Sequence, residues 1–246
     1  MMMNKHAAIL IVGNEILSGR TRDKNAYFLA CALKEIGVLV KRIVVIPDVI
    51  GQIAAEVNAL RHAFDYVIVC GGIGPTPDDV TRPAVALAFG VPCEPHPEAV
   101  RILHDYYKER ASARRLVMAE LPRAAALIPN PNTGAPGFAV ENVFVLPGIP
   151  ELVESMFAHV AAQLVHAPFV ELEFPVALAE SEFADVMDAA VARFPAVEIG
   201  SYPSCSAGQW RCVLVVKGAD AAQVQAAKAW LHAAITARAE ALREGH

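Results

Sequence analysis

The chain lacks the features that mark several common protein classes. Its five cysteines (Cys31, Cys70, Cys93, Cys205 and Cys212) are scattered, and no two are spaced as C-x-x-C. An odd number of cysteines in a chain of 246 residues argues against a disulfide framework or a thiolate zinc site. A reduced, cytoplasmic protein fits better. Basic residues are outnumbered, 21 against 26 acidic, so the net charge of −5 leaves no electrostatic footprint for nucleic acid. No apolar run approaches the length needed to span a bilayer. The first apolar stretch, Ala7 to Val12, is too short for a signal h-region and is interrupted by Gly13-Asn14-Glu15. Neither a nucleic acid nor a membrane is expected as a partner.

Several catalytic signatures are also missing. The eight histidines show no metal-ligand spacing. There is no Walker A lysine and no G-x-G-x-x-G opening a helix. Ser18 lies in Leu17-Ser18-Gly19 and not in a G-x-S-x-G elbow, which disfavours a serine hydrolase. Lys108, Arg110, Arg114 and Arg115 form a basic run best explained as a solvated helix face.

What is present points to packed α/β structure. Hydrophobic residues make up 55% and charged residues 19%, enough apolar material for a core and too much for disorder. Strands are expected at Ala7 to Val12, Val38 to Ile46, Tyr66 to Cys70, Ala124 to Ile128 and Val143 to Leu146. Helices are expected at Ala26 to Ile36, Ile50 to Phe64, Val80 to Phe89, Pro97 to Arg115 and Glu151 to Leu164. Asn130 to Phe138 reads as a dense turn cluster. This alternation predicts a three-layer, doubly wound, largely parallel sheet over residues 1–167. After a boundary at His166-Ala167-Pro168, the pattern becomes strand (Val170 to Leu178), helix (Ser181 to Phe194), two strands (Val197 to Tyr202, Trp210 to Val216) and helix (Ala221 to Leu242). That order predicts a second, smaller α+β domain over residues 168–246.

The most informative stretch follows the third strand: Cys70-Gly71-Gly72-Ile73-Gly74-Pro75-Thr76-Pro77-Asp78-Asp79-Val80-Thr81. Its glycines allow a tight turn and a close backbone approach to a ligand, and its hydroxyls and acids are polar groups beside that turn. In a parallel sheet, loops at the carboxyl ends of strands share one edge. Gly13 to Gly19, Pro47-Asp48 and Gly71 to Thr81 are therefore expected to meet, bringing Glu15, Asp48, Asp78 and Asp79 together. Carboxylates gathered at one edge repel unless a cation sits among them, and a hard cation shared with substrate phosphates suits them. The plainer alternative is that Asp48, Asp78 or Asp79 caps the helix that follows it.

Together these pieces resemble the molybdopterin-binding (MoaB/Mog-like) domain family, above all the N-terminal part of the CinA proteins and the similar domain of eukaryotic FAD synthases. The likeness is carried by Gly13-Asn14-Glu15-Ile16-Leu17-Ser18-Gly19, Asp23, Asn25, Asp48 and Gly71 to Thr81, then by Gly134-Ala135-Pro136-Gly137 and Leu146-Pro147-Gly148-Ile149-Pro150. Glu198-Ile199-Gly200-Ser201-Tyr202-Pro203 extends it into the second domain. Asn14 stands where the first motif usually has Asp, and Ile73 where the loop usually has Thr. Nothing matches the later amidase domain of full CinA proteins, so that activity is not expected. The resemblance implies a homo-oligomer and a small phosphorylated ligand, either a nucleotide diphosphate or a pterin. It implies a divalent-metal-dependent pyrophosphatase acting on a substrate such as ADP-ribose or FAD, with Mg, Co or Mn as the metal. Its alternative is a non-catalytic or adenylylating protein with molybdopterin as ligand. On this resemblance Asp79 and Asp48 are catalytic and, with Asp78, hold the metal. Gly13, Glu15, Gly71, Gly72, Gly74, Thr76, Thr81, Gly134, Pro147 and Gly148 bind substrate.

Overall fold

The computed structural model describes residues 5–165, 169–206 and 209–244. They form two compact units, residues 5–165 and the described residues from 169 onward. The expected boundary at His166-Ala167-Pro168 lies outside the described residues.

The first unit is built on β1 (Lys5–Val12), whose residues from Ala7 to Val12 are all at most 3% exposed. Such a strand alternates its side chains between two faces, so both must be covered. Ala8, Leu10 and Val12 pack into one apolar layer, and Ala7, Ile9 and Ile11 into another. The chain continues through α1 (Asn14–Leu17), α2 (Asn25–Glu35), β2 (Val38–Ile46), α3 (Ile50–Ala63), β3 (Tyr66–Cys70) and α4 (Thr81–Phe89). Then come β4 (Cys93–Pro95), α5 (Pro97–Tyr107), α6 (Ala113–Leu116), β5 (Glu120–Pro122), β6 (Ala126–Ile128), β7 (Gly137–Val140), β8 (Val143–Leu146) and α7 (Pro150–Ala161). α3, α4 and α5 cover one face through residues such as Val57, Leu60, Val85 and Leu103. α2 and α7 cover the other through Leu29, Leu33, Val153 and Met156. The result is the three-layer architecture expected from the sequence.

The central sheet has the order β2-β1-β3-β8-β7-β6. β1 pairs in parallel with β2 and β3, and β3 with β8. β7 and β6 run antiparallel at one end. β7 had been concealed in the expected turn cluster. Gly137 and Phe138 belong to a strand because Phe138 is fully buried opposite Val145, a tertiary contact that local turn chemistry does not report. Asn142 secures the β7–β8 turn by donating from Nδ2 to the carbonyls of Arg61 and Phe64. The helix expected from Pro97 to Arg115 stops at Tyr107, where Lys108 takes a φ of 49°. A single 3-10 turn intervenes, and a new short helix starts after Ser112. β4 and β5 form a two-stranded antiparallel ladder, too short to carry a readable period.

The second unit contains β9 (Val170–Val176), α8 (Glu180–Arg193), β10 (Glu198–Ser206), β11 (Gln209–Gly218) and α9 (Ala221–Glu244). Its sheet is antiparallel in the order β10-β11-β9. Glu171 and Glu173 of β9 face solvent while Phe174 and Val176 turn inward, the alternation of a sheet covered on one face. The core joins Phe183 of α8, Leu214 and Val216 of β11, and Val224, Ala227 and Leu231 of α9. No helix among the described residues is long and apolar enough to cross a membrane.

Both tryptophans, Trp210 and Trp230, fall in this second unit, so tryptophan fluorescence reports on it alone. Phe183 is 1% exposed at its centre. Phe183→Ala is expected to destabilise the unit by about 3–5 kcal/mol through lost burial and a residual cavity. Urea unfolding followed by tryptophan fluorescence checks this.

Candidate functional site

Parallel pairing sets the site. The last residues of β1 and β2, Val12 and Ile46, are register partners, and Ile11 of β1 pairs with Cys70 of β3. The loops leaving these strands therefore start at the same level. After β1 the chain turns to α2 on one face, and after β3 it turns to α4 on the other. The reversal opens a crevice between β1 and β3, the switch point at which open α/β sheets bind ligands. A cavity of about 450 Å³ lies there, with Val12, Glu15, Asp48, Gly71, Gly72, Ile73, Gly74, Asp78, Asp79 and Pro147 to Pro150 in its wall.

The glycine loop owes its shape to contacts behind it. Gly71 has φ of 106°, and a Cβ there would stand 2.1 Å from the Val12 carbonyl oxygen. Gly72 has φ of 69°, and its Cβ would stand 2.3 Å from Thr81 Oγ1. Any side chain at either position would collide with neighbours and force a disfavoured backbone. The Gly71 N–H donates to the Leu146 carbonyl at 3.1 Å and the Thr81 N–H to the Gly72 carbonyl at 2.9 Å. A Cβ on Gly148 would lie 3.5 Å from the Gly71 Cα, so the loops after β3 and β8 are in contact. Asn25, buried at the start of α2, donates from Nδ2 to the Gly148 carbonyl at 2.8 Å and ties that second loop down.

The acids are held by specific donors. Asp48 Oδ2 accepts the Asn14 N–H at 2.8 Å, so the loops after β1 and β2 are joined through the carboxylate. Asp79 Oδ2 accepts the Thr76 N–H at 2.8 Å and the Thr76 hydroxyl at 2.5 Å, closing the loop on itself. Neither aspartate caps a helix. α3 is preceded by Val49 and α4 by Val80, and no side chain caps either. The Thr76 hydroxyl is also the main influence that holds Asp78 below the usual carboxylate range, with its own backbone N–H next and a smaller pull from the Arg114 charge. Cys70, at the end of β3, is not a nucleophile. Burial pushes its thiol far up, and the charge of Asp23 adds to this.

The structure brings Glu15, Asp48, Asp78, Asp79, Gly71, Gly72, Gly74, Pro147 and Gly148 to one cavity. Four expected site residues stand apart from its wall. Gly13 is buried beside it, under the Glu15 carboxylate. Thr76 is exposed and reaches the site through Asp79. Thr81 is fully buried beneath Gly72, its hydroxyl without a hydrogen-bond partner among the described residues. Gly134 packs on Tyr106 of α5, where its Cβ would stand 2.8 Å from the ring. Among the described residues, no three His, Cys, Asp or Glu side chains are grouped so as to hold a metal ion unaided. The carboxylate oxygens suit a hard cation, but its remaining ligands would have to come from substrate oxygens. Sequence reasoning missed Arg82 altogether, and took Asn25 as part of the family likeness without seeing that it braces the loop after β8. Arg82 is a charged residue inside the apolar helical pattern of Val80 to Phe89, which was the available signal.

Fold and site define a doubly wound α/β domain that offers a glycine loop and acids at its switch point. Residues 8–167 match the family described as "Probable molybdopterin binding domain", and the chain belongs to that MoaB/Mog-like family. Residues 168–242 match "FAD synthase, middle domain". A protein of Archaeoglobus fulgidus is 36% identical over 195 residues, covering 79% of this chain and 84% of that one. A CinA-like protein of Anaeromyxobacter sp. is 35% identical over 73% of this chain, which spans 47% of the relative's length. The crystal structure of a CinA protein of unknown function from Thermoplasma acidophilum has 32% identity and a TM-score of 0.61, covering 65% of this chain and 98% of that one.

Gly71→Ala is expected to cost about 2–5 kcal/mol, because the Val12 carbonyl is backbone and cannot move aside. Denaturant unfolding of the first unit followed by far-ultraviolet circular dichroism measures it.

Proposed function

We propose that the chain is a divalent-metal-dependent hydrolase of a nucleotide diphosphate such as ADP-ribose or FAD. The observation that carries this reading is that Asp48 and Asp79, from loops after different strands, line the same cavity as the backbone of Gly71 to Gly74. Backbone amides at the end of a parallel strand suit phosphate oxygens, and carboxylates opposite them suit a bridging cation. The likeness of residues 168–242 to the middle domain of FAD synthase supports a flavin or adenine diphosphate over a free phosphate.

The reaction is an in-line displacement at phosphorus. A water oxygen bonds to one phosphorus, the bridging P–O bond breaks, the leaving phosphate keeps that bond's electron pair, and the water's protons pass to solvent or product. The glycine loop would hold the attacked phosphate through backbone N–H groups and limit its motion. Asp48 and Asp79 would hold the cation, with Asp78 and Glu15 adding negative charge at the mouth. Such a cation, when bound, offsets charge on the phosphoryl oxygens and lowers the pKa of water. The Asn14 and Thr76 N–H groups fix the two aspartates, so their oxygens need little reorganisation.

The second reading is a non-catalytic or adenylylating module that takes molybdopterin. Asn14 favours it, because it is neutral where the family motif usually has Asp, which removes one possible metal charge. Ile73 favours it too. Its side chain is 8% exposed and offers no hydroxyl to a phosphate.

A panel of ADP-ribose, FAD and other nucleotide diphosphates with Mg²⁺, Mn²⁺ or Co²⁺ should release monophosphate products. Tight binding of molybdopterin with no product from any diphosphate would favour the second reading. Asp79→Asn keeps an oxygen for the Thr76 N–H but loses the charge. It is expected to lower turnover at least a hundredfold with the melting temperature within a few degrees of wild type. Retained hydrolysis in that variant would refute the role of Asp79.

A further inference from the structure

The glycine loop is braced by a residue outside the cavity wall. Arg82 lies in the first turn of α4, directly after Thr81, and is only 3% exposed. Its guanidinium donates from Nη1 to the Ile73 carbonyl and from Nη2 to the Gly74 carbonyl, the latter at 2.9 Å. Two successive carbonyls of one loop are thus held by a single planar fork. Lysine, a point charge on a flexible stem, would not span both in this way. Burial lowers the pKa of Arg82 and the nearby Asp79 charge opposes this, but a guanidinium remains protonated throughout the ordinary pH range.

The consequence follows from peptide geometry. In a trans peptide the C=O and the following N–H point in opposite directions. Holding the Ile73 carbonyl against Arg82 turns the Gly74 N–H away from it, and Gly74 lines the cavity. Pro75 has no N–H, so the peptide after Gly74 offers no competing donor. A charge as deeply buried as that of Arg82 is costly unless offset. Both of its hydrogen bonds go to carbonyls, so part of the offset is left to charges across the loop.

We propose that Arg82 is a positioning residue for an anion bound at Gly71 to Gly74. From behind the loop it locks the Ile73–Gly74 peptide with the Gly74 N–H facing the cavity, and it sets a water-shielded positive charge opposite the bound diphosphate. The proposal rests on the diphosphate reading of this same cavity.

Calorimetric titration of the full chain with inorganic pyrophosphate and with ADP-ribose tests it on wild type, Arg82→Lys and Arg82→Met, each checked for folding by circular dichroism. Arg82→Met is expected to weaken binding roughly tenfold to a hundredfold, the range for losing hydrogen bonds to a charged group. Arg82→Lys, which restores charge without the fork, should recover part of that loss. A purely structural brace would lower the melting temperature and leave affinity unchanged well below it. Equal affinity in all three proteins would therefore overturn the proposal. In ¹⁵N-labelled wild type, saturating pyrophosphate should shift the Gly74 amide resonance. An unmoved Gly74 amide overturns the proposal even where Arg82→Met does not fold. A wild type that binds neither ligand would overturn the diphosphate reading and this proposal together. That outcome differs from the proposal's own failure, in which wild type binds and both variants match it.

Discussion

Parallel pairing of β1 with β2 on one side and β3 on the other is the constraint on which the rest of the first unit depends. It places the carboxyl ends of three strands at one level, with Val12 opposite Ile46 and Ile11 opposite Cys70. Each strand must then leave the sheet at the same edge, and the helices that return the chain must cover both faces. The burial of β1 from Ala7 to Val12 is both cause and result. A strand that is apolar on both faces can only be central, and a central strand flanked in parallel must open into loops at its end. Where successive helices take opposite faces, those loops part and leave a crevice.

The crevice is electrostatically one-sided. Glu15, Asp48, Asp78 and Asp79 stand at it, in a chain that carries net negative charge. Such a gathering is unfavourable unless partners share the charge, and in the protein backbone N–H groups, a hydroxyl and a guanidinium do so. Asn14 lends an N–H to Asp48, Thr76 lends an N–H and a hydroxyl to Asp79, and the guanidinium of Arg82 lies on the other side of the loop, bonded to its carbonyls. These bonds also do mechanical work. The Asp48 bond joins two loops far apart in the chain and the Asp79 bonds close a third loop on itself, so the acids are part of what keeps the edge in shape. An acid rim that suits a cation and a backbone loop that suits a phosphate are complementary halves of a site for a metal–diphosphate ligand, which is the proposed reading.

Much of this was legible in the order of residues. The apolar runs at Ala7 to Val12 and Tyr66 to Cys70, each followed by glycine, marked buried strands that end at the loops of the cavity. The helix expected from Ala26 to Ile36 is α2 to within a residue at each end, because its apolar spacing and Gly37 are local signals. Other parts were hidden for physical reasons. β7 lay among turn residues, since what makes Phe138 part of a strand is Val145 across the sheet. Lys108 breaks a pattern whose helical periodicity continues past it. Gly134 was expected to bind substrate on the family resemblance alone, and its close neighbour is Tyr106. Thr81 looked like an available hydroxyl, yet α4 begins there and buries it beneath Gly72.

The sequence by itself determined the two-unit organisation, the α/β alternation and the identity of the acids and glycines at the edge. All of these depend on the period of apolar residues or on backbone freedom, which are local properties. Tertiary structure alone decided which of those residues face the same space. That Asp48 reaches Asn14, that Asn25 holds Gly148, and that a buried arginine grips the carbonyls of a loop eight and nine residues before it are outcomes of strand order and helix handedness. A residue's neighbours across a sheet are set by the whole pairing pattern, and no window along the chain contains that information.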